Sequence, residues 1–219
     1  MSYLHWFVLV LALTMVAVLG VLFGVTWIES YQARQLATQE PYAPATSGIP
    51  SVAVVYFSRS GNTALAARHL VKRLDAHLVA LEVPAYELGL MGLTHALKDA
   101  NVLKSQPQAL PDTVPRTLDL SPYETVWLGS PVWLYSPAPP IWAFVENNRF
   151  DGQHVVLFNT YNSHFGDEHI AAFKAKVLAK GARSFEHRSV LRGRMLQQIS
   201  PGDMLQVVDE QWFVDPVAP

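Results

Sequence analysis

Val52-Ala53-Val54-Val55-Tyr56-Phe57-Ser58-Arg59-Ser60-Gly61-Asn62-Thr63 decides how this chain is read. An apolar, β-branched run leads into a short hydroxyl-rich loop, and the helical pattern of Ala64–Leu74 follows at once. A strand that turns through such a loop into a helix makes a phosphate cradle. The unpaired N–H groups of the first helical turn and the positive end of the helix dipole both face the loop. Ser58, Ser60 and Thr63 bring hydroxyls, Asn62 brings an amide, and Gly61 lets the backbone turn tightly. The loop holds no lysine and the chain has no G-x-x-x-x-G-K-[ST] pattern, which argues against a nucleoside triphosphate site. Neutral donors suit the singly esterified phosphate of a mononucleotide. The competing reading is a plain helix cap and turn, because Ser, Asn and Thr are favoured there too.

Downstream, strands alternate with helices. His77–Val83, Thr125–Leu128, Val155–Asn159 and a segment within Ala182–Leu191 read as four further strands, the third strand ending at Gly129-Ser130-Pro131. Thr63–Asp75, part of Tyr86–Val102, Ala138–Asn147, Glu168–Lys180 and Pro201–Trp212 read as helices between them. Short apolar strands separated by helices predict an α/β fold with a parallel sheet covered on both faces. Ligands in such a sheet bind at the carboxyl ends of the strands, where the strand order switches. Three loops fall at that edge: Ser58–Thr63, Gly129–Pro140 and Asn159–Gly166.

The first two loops resemble those of flavodoxin-like FMN proteins. Val54–Thr63 is similar to the family's opening strand and phosphate loop, and Leu128-Gly129-Ser130-Pro131-Val132-Trp133 to its second flavin loop. Pro139, Pro140 and Phe144 are similar to the helix that follows, and Asp151-Gly152 to the approach to the fourth strand. The likeness extends from Ser51 to Phe213. It implies a three-layer sandwich around a five-stranded parallel sheet in the order 2-1-3-4-5, with FMN as cofactor. It also implies that Ser58, Ser60, Gly61, Asn62 and Thr63 hold the phosphate, with the Arg59 side chain directed to solvent. Pro131, Val132, Trp133 and Leu134 would line the isoalloxazine, with Trp133 or Tyr135 stacking on it, and Asn159, Thr160 and Tyr161 would form the third wall. Aromatic walls bury the flat ring while a few backbone donors fix its polar edge. No catalytic side chain is then needed, because the flavin itself carries electron or hydride transfer. The chain departs from the family at Asn159–Gly166, which is bulkier than the usual glycine-rich loop, and at Leu134-Tyr135-Ser136-Pro137, where relatives often carry Trp and Gly. The implied activity is redox: electron transfer, or reduction of a quinone-like acceptor with NAD(P)H or a redox protein as donor. The alternative on the same fold is a flavin-free interaction module at the membrane, which the altered third loop keeps open.

The N-terminus predicts where this happens. From Met1 to Ile28 there is no Asp, Glu, Lys or Arg, and only His5, Thr14 and Thr26 interrupt the apolar run from Tyr3. As a helix that run spans about 39 Å, more than the roughly 30 Å of a bilayer core. Trp6 and Trp27 stand near its ends, where interfacial aromatics belong. A cleaved signal peptide would want a basic start and a shorter core, and a buried core helix would want a polar face. The division expected is a transmembrane anchor over 1–28, a linker over 29–50 containing Pro41, Pro44 and Pro50, and a flavodoxin-like domain over 51–219. Arg34, the basic residue beside the anchor, places the domain in the cytoplasm by the positive-inside rule.

Other classes find little support. The absence of cysteine excludes disulfides and thiolate metal sites. Beyond position 50 stand 15 basic and 16 acidic residues, so no basic patch calls for nucleic acid. His164, Asp167, Glu168 and His169 do not match the spacing of a zinc helix, and no metal is expected there. Trp127 and Trp142 read as packing residues, and Arg188, Arg192 and Arg194 as a solvated strand edge rather than a site for a nucleotide phosphate or lipid headgroup.

Overall fold

β1, Val52–Tyr56, is rich in β-branched residues and is flanked on both sides in the sheet, so Ala53, Val54 and Val55 are fully buried. The computed structural model describes residues 3–39, 50–106, 108–194 and 197–213. After β1 come α2 (Asn62–Leu74), β2 (His77–Ala80), a 3₁₀ turn (Pro84–Tyr86) and α3 (Leu90–Val102). β3 (Thr125–Trp133) is followed by the two-residue β4 (Ser136–Pro137), α4 (Pro139–Asn147) and β5 (His154–Tyr161). α5 (Asp167–Ala179), β6 (Ser184–Leu191) and α6 (Pro201–Trp212) complete the domain, and α1 (Tyr3–Ala37) precedes it.

The five long strands are all parallel and lie in the order β2-β1-β3-β5-β6, which is the order 2-1-3-4-5 in chain sequence. β4 lies off this path and pairs antiparallel with the end of β3. Helices cover both faces, giving three layers. On one face Leu65, Leu70 and Val71 of α2 meet Met204, Val208 and Trp212 of α6 over Val54, Trp127 and Phe158. On the other, Ala96 of α3, Ile141 and Phe144 of α4 and Phe173 and Val177 of α5 cover Val55, Leu128 and Leu157. Trp127 and Trp142 are therefore packing residues: Trp127 stacks on Trp212, and Trp142 meets Phe173 edge to face.

Two elements overrun their expected ends furthest, while β5 gains Thr160 and Tyr161 and β2 stops at Ala80, short of Val83. β3 does not stop at Gly129-Ser130-Pro131 but runs on to Trp133. Its partner β1 pairs only as far as Gly129, while β5 stays paired out to Pro131, so proline's missing N–H falls where one neighbour has already ended. The turn back into β4 is made by Leu134 and Tyr135, both at positive φ, 48° and 76°.

α1 is the second. It does not give way to a linker at Glu29 but stays helical to Ala37, with Thr38 and Gln39 closing it in a turn. Residues 40–49, including Pro41 and Pro44, lie outside the described residues. From Tyr3 to Val21 every α1 side chain is exposed, whereas Thr26, Glu29 and Leu36 are buried against the domain. That stripe has helical spacing, but it is carried by Thr, Glu, Gln32 and Ala33 between its apolar members, so apolar periodicity does not reveal it.

Candidate functional site

The carboxyl ends of β1, β3 and β5 bring the three loops named above to one edge of the sheet. Gly61 has a φ of 90°, in the left-handed region, and from it the chain enters α2. No side chain caps that helix start, so the N–H groups of the first turn have no intrahelical acceptor. The Gly61 N–H donates to Ser58 Oγ at 3.2 Å, and Asn62 Nδ2 donates to Ser60 Oγ at 3.3 Å. Thr63, 1 % exposed, shares a hydrogen bond of 2.7 Å with the Thr160 hydroxyl, which ties the first loop directly to the third.

The second loop builds an aromatic wall. Trp133 meets Phe57 edge to face at 5.5 Å and Tyr86 at 5.8 Å. The Tyr86 hydroxyl donates to Asp99 at 2.8 Å, and burial together with that carboxylate pushes its pKa far above the ordinary phenol value. Val132, Trp133 and Leu134 border a cavity of about 190 Å³ whose other walls are Leu93 and Leu97 of α3 and Glu29 and Arg59. Pro131 accepts the Ala138 N–H at 3.1 Å and so pins the start of α4. Tyr135 stands apart from Trp133: it is half exposed, packs at a tilt against His164 at 4.6 Å, and has Lys104 Nζ over its ring at 5.8 Å.

In the third loop, Tyr161 packs edge to face on Phe165, which packs in turn on His187. The Asn159 side chain is turned into the sheet: its Nδ2 donates to Ser130 O at 2.9 Å, and its Oδ1 accepts from His187 Nε2 at 2.9 Å. What Asn159 and Thr160 present to a ligand is thus mainly backbone. Burial lowers the pKa of His187 below its ordinary value, which keeps the ring neutral.

Three charged residues behave unlike their sequence reading. Arg59 is not directed to solvent. It is 8 % exposed, donates to the carbonyls of Tyr86 (3.2 Å) and Gly89 (3.0 Å), and forms a buried ion pair with Glu29 of α1. Arg192 is not on a solvated edge either: it is 5 % exposed, and its Nε donates to Asn62 Oδ1 at 2.9 Å. Burial lowers its pKa, and its Nη1 is buried with no hydrogen-bond partner. The signal available in the sequence was position: Arg192 directly follows β6, and Leu191 pairs with Tyr161 at the same edge as the other loops.

Glu29 belongs to the third surprise, the end of α1, which lies across this edge. Leu36 comes within 3.1 Å of the point where a Gly61 Cβ would stand, and Gln32 Nε2 donates to Asn62 Oδ1 at 3.3 Å. Arg68 of α2 closes the contact by donating to the carbonyls of Leu36 (2.6 Å) and Gln39 (3.0 Å) at the negative end of α1. An uncapped helix start follows a left-handed glycine, and at its first residue, Asn62, it is met by the buried guanidinium of Arg192, whose Nη1 has no hydrogen-bond partner; such a set of donors suits an anion.

Comparison with known proteins agrees with this architecture. A flavoprotein from Bacteroides uniformis superposes with a TM-score of 0.57 at 21 % identity, over 74 % of this chain and 99 % of its own. One from Bacteroides eggerthii gives 0.54 at 21 %, over 74 % and 97 %. A Lactobacillus acidophilus flavoprotein in complex with FMN gives 0.51 at 19 %, over 63 % and 93 %. A search of the curated proteins found no match. Residues 51–196, well over half of the chain, match the flavodoxin family, and the chain belongs to it.

Proposed function

We propose that this protein is an FMN-dependent redox protein held at a membrane by α1. The observation that carries the reading is the convergence of the uncapped start of α2 and the Trp133 wall at one sheet edge, with the Thr63–Thr160 bond joining the outer loops. Bound FMN would supply the electron-transfer chemistry. The chain's residues do the rest. Ser58, Ser60 and the first-turn N–H groups of α2 receive the phosphate. Val132, Trp133 and Leu134 give the ring an apolar wall, and the backbone of Asn159–Tyr161 faces its polar edge.

α1 up to Val25 is about 34 Å long, and its exposed apolar surface matches a bilayer core. Trp27 and Tyr31, exposed and stacked 6.1 Å apart, stand just where the helix meets the domain and mark the membrane interface. Docking of the same helix on the domain then holds the cofactor edge close to the membrane surface. That proximity favours a quinone-like or membrane-bound acceptor, with NAD(P)H or a redox protein as donor. Arg34 favours a cytoplasmic domain.

Two observations favour the flavin-free module: Leu36 lies over Gly61, and the cavity beside Trp133 is small. The full-length protein, purified in detergent and loaded with FMN, separates the two. A yellow protein that quenches FMN fluorescence, and that is oxidised after reduction by a short-chain benzoquinone, supports the redox reading. A colourless protein with no affinity for added FMN supports the module.

A further inference from the structure

Arg192 carries the strongest unexplained feature of the molecule. Its main-chain N–H donates to Tyr161 O at 2.8 Å, which fixes it at the carboxyl edge of the sheet. Its side chain is 5 % exposed and is held against Asn62, the first residue of α2, by the 2.9 Å bond from Nε. Among the described residues it forms no ion pair, and its Nη1 has no acceptor. A guanidinium does not deprotonate under physiological conditions, so this is a buried positive charge without a counter-charge. Such a group is costly unless something anionic pairs with it.

The second feature is independent of the first. α2 is thirteen residues long and no side chain caps its start. Its first-turn N–H groups and its dipole add a partial positive charge at the same place. A cavity of about 250 Å³ opens between Arg192, Gln198 and Pro201 on the domain and Gln32, Gln35 and Leu36 of α1. Gln32 Nε2 also donates to Gln198 Oε1, so α1 is fastened to the domain beside Arg192.

We propose that Arg192 is the cationic ligand of the cofactor's phosphate, pairing with it from the end of β6 while the N-terminus of α2 receives it from the other side. This rests on the FMN reading and extends it: the phosphate loop itself is neutral apart from the buried Arg59–Glu29 pair, and the charge that selects a phosphorylated flavin comes from a different element, 130 residues away in sequence. A phosphate monoester, with its greater negative charge, is the favoured occupant. A lipid phosphodiester near the foot of α1 shares the same chemistry and is distinguished by the test.

The full-length protein in lipid-free detergent is titrated with FMN and with riboflavin, as wild type, Arg192→Gln and Arg192→Lys. Loss of a charge-assisted bond weakens binding by about tenfold to hundredfold, and the expectation is that Arg192→Gln loses this on FMN and nothing on riboflavin. Arg192→Lys recovers part of the loss. Without flavin, Arg192→Gln melts no lower than wild type, because it removes an uncompensated charge. Unchanged FMN affinity, or equal losses on both flavins, overturns the proposal while leaving FMN binding in place. If wild type binds neither flavin, the redox reading fails, and inorganic phosphate decides the rest. Protection of wild type but not Arg192→Gln against thermal unfolding sustains the anion site, and no protection overturns it. The same melts in phosphatidylcholine and phosphatidylglycerol nanodiscs test the lipid. Stabilisation by the anionic lipid that requires Arg192, with FMN affinity unaffected by its loss, assigns the residue to a headgroup and overturns the proposal.

Discussion

Ser60 and Thr63 stand three residues apart in one loop, yet their hydroxyls have different neighbours. Ser60 is partly exposed and accepts only the Asn62 amide, whereas the buried Thr63 hydroxyl is paired with Thr160. Thr63→Ala strands the Thr160 hydroxyl in a dry site, a loss of about 1–3 kcal/mol, while Ser60→Ala leaves stability within about 0.5 kcal/mol. Urea denaturation of the two variants checks the contrast. Both are expected to weaken FMN binding, so the ratio of binding loss to folding loss is larger for Ser60→Ala. His187 gives the pH dependence. In the unfolded chain it titrates at its ordinary 6.5, and in the folded protein burial holds it lower. Above 6.5 both states are neutral and no stability is lost. As the pH falls through that value the unfolded state takes up a proton that the folded state refuses, so stability drops toward the lower folded pKa. The urea midpoint should fall from about pH 7.5 to about pH 5.5, and fall less in His187→Gln, whose amide can still donate to Asn159.

At the scale of elements, α1 packs against the Ser58–Thr63 loop through Leu36, Gln32 and Glu29. The Glu29–Arg59 pair is buried on both sides, and Arg59 keeps only carbonyl acceptors if the carboxylate goes. Removing one member of a buried pair costs about 3 kcal/mol or more, so Glu29→Gln is expected to loosen α1 from the domain. Trypsin reports this directly: cleavage after the exposed Arg34 should rise several-fold in Glu29→Gln while the parallel sheet stays intact by circular dichroism. Equal cleavage in both proteins would mean that Leu36, Gln32 and the Arg68 contacts hold the helix without the pair. The same contact explains how much of the elements was legible beforehand. α2, α4 and α6 announce themselves because each has a clear apolar face or a proline start, and α5 because it begins with acidic residues and stops at Gly181. The last turns of α1 do not, because their buried face is built of Thr26, Glu29 and Gln32, which look like linker residues until the domain is in place. β3 overran its expected end because a proline in a strand is judged by which neighbours surround it, and pairing is settled only in the sheet.

For the whole molecule, α1 is one continuous helix whose exposed apolar half runs into a half docked on the domain, and the proposed anchoring rests on that continuity. After alkaline extraction of expressing cells the full chain is expected to stay with the membrane pellet, and a chain lacking residues 3–25 to appear in the supernatant; equal release of both would remove the anchor from this account. The amino-acid sequence by itself determined the α/β class, the apolar span and the three loops at one sheet edge, because each rests on short-range patterns: a period of two, a period of 3.6, a glycine turn; the strand order came from the resemblance to flavodoxin-like proteins, since no local pattern carries it. Only the tertiary structure decided the charges. Arg59 turned inward to Glu29, Arg192 turned inward to Asn62, and Asn159 was drawn into the sheet by His187 and Ser130. The energy of a charged or amide group depends on which partners surround it once water has been excluded, and those partners lie from 28 to 130 residues away in sequence.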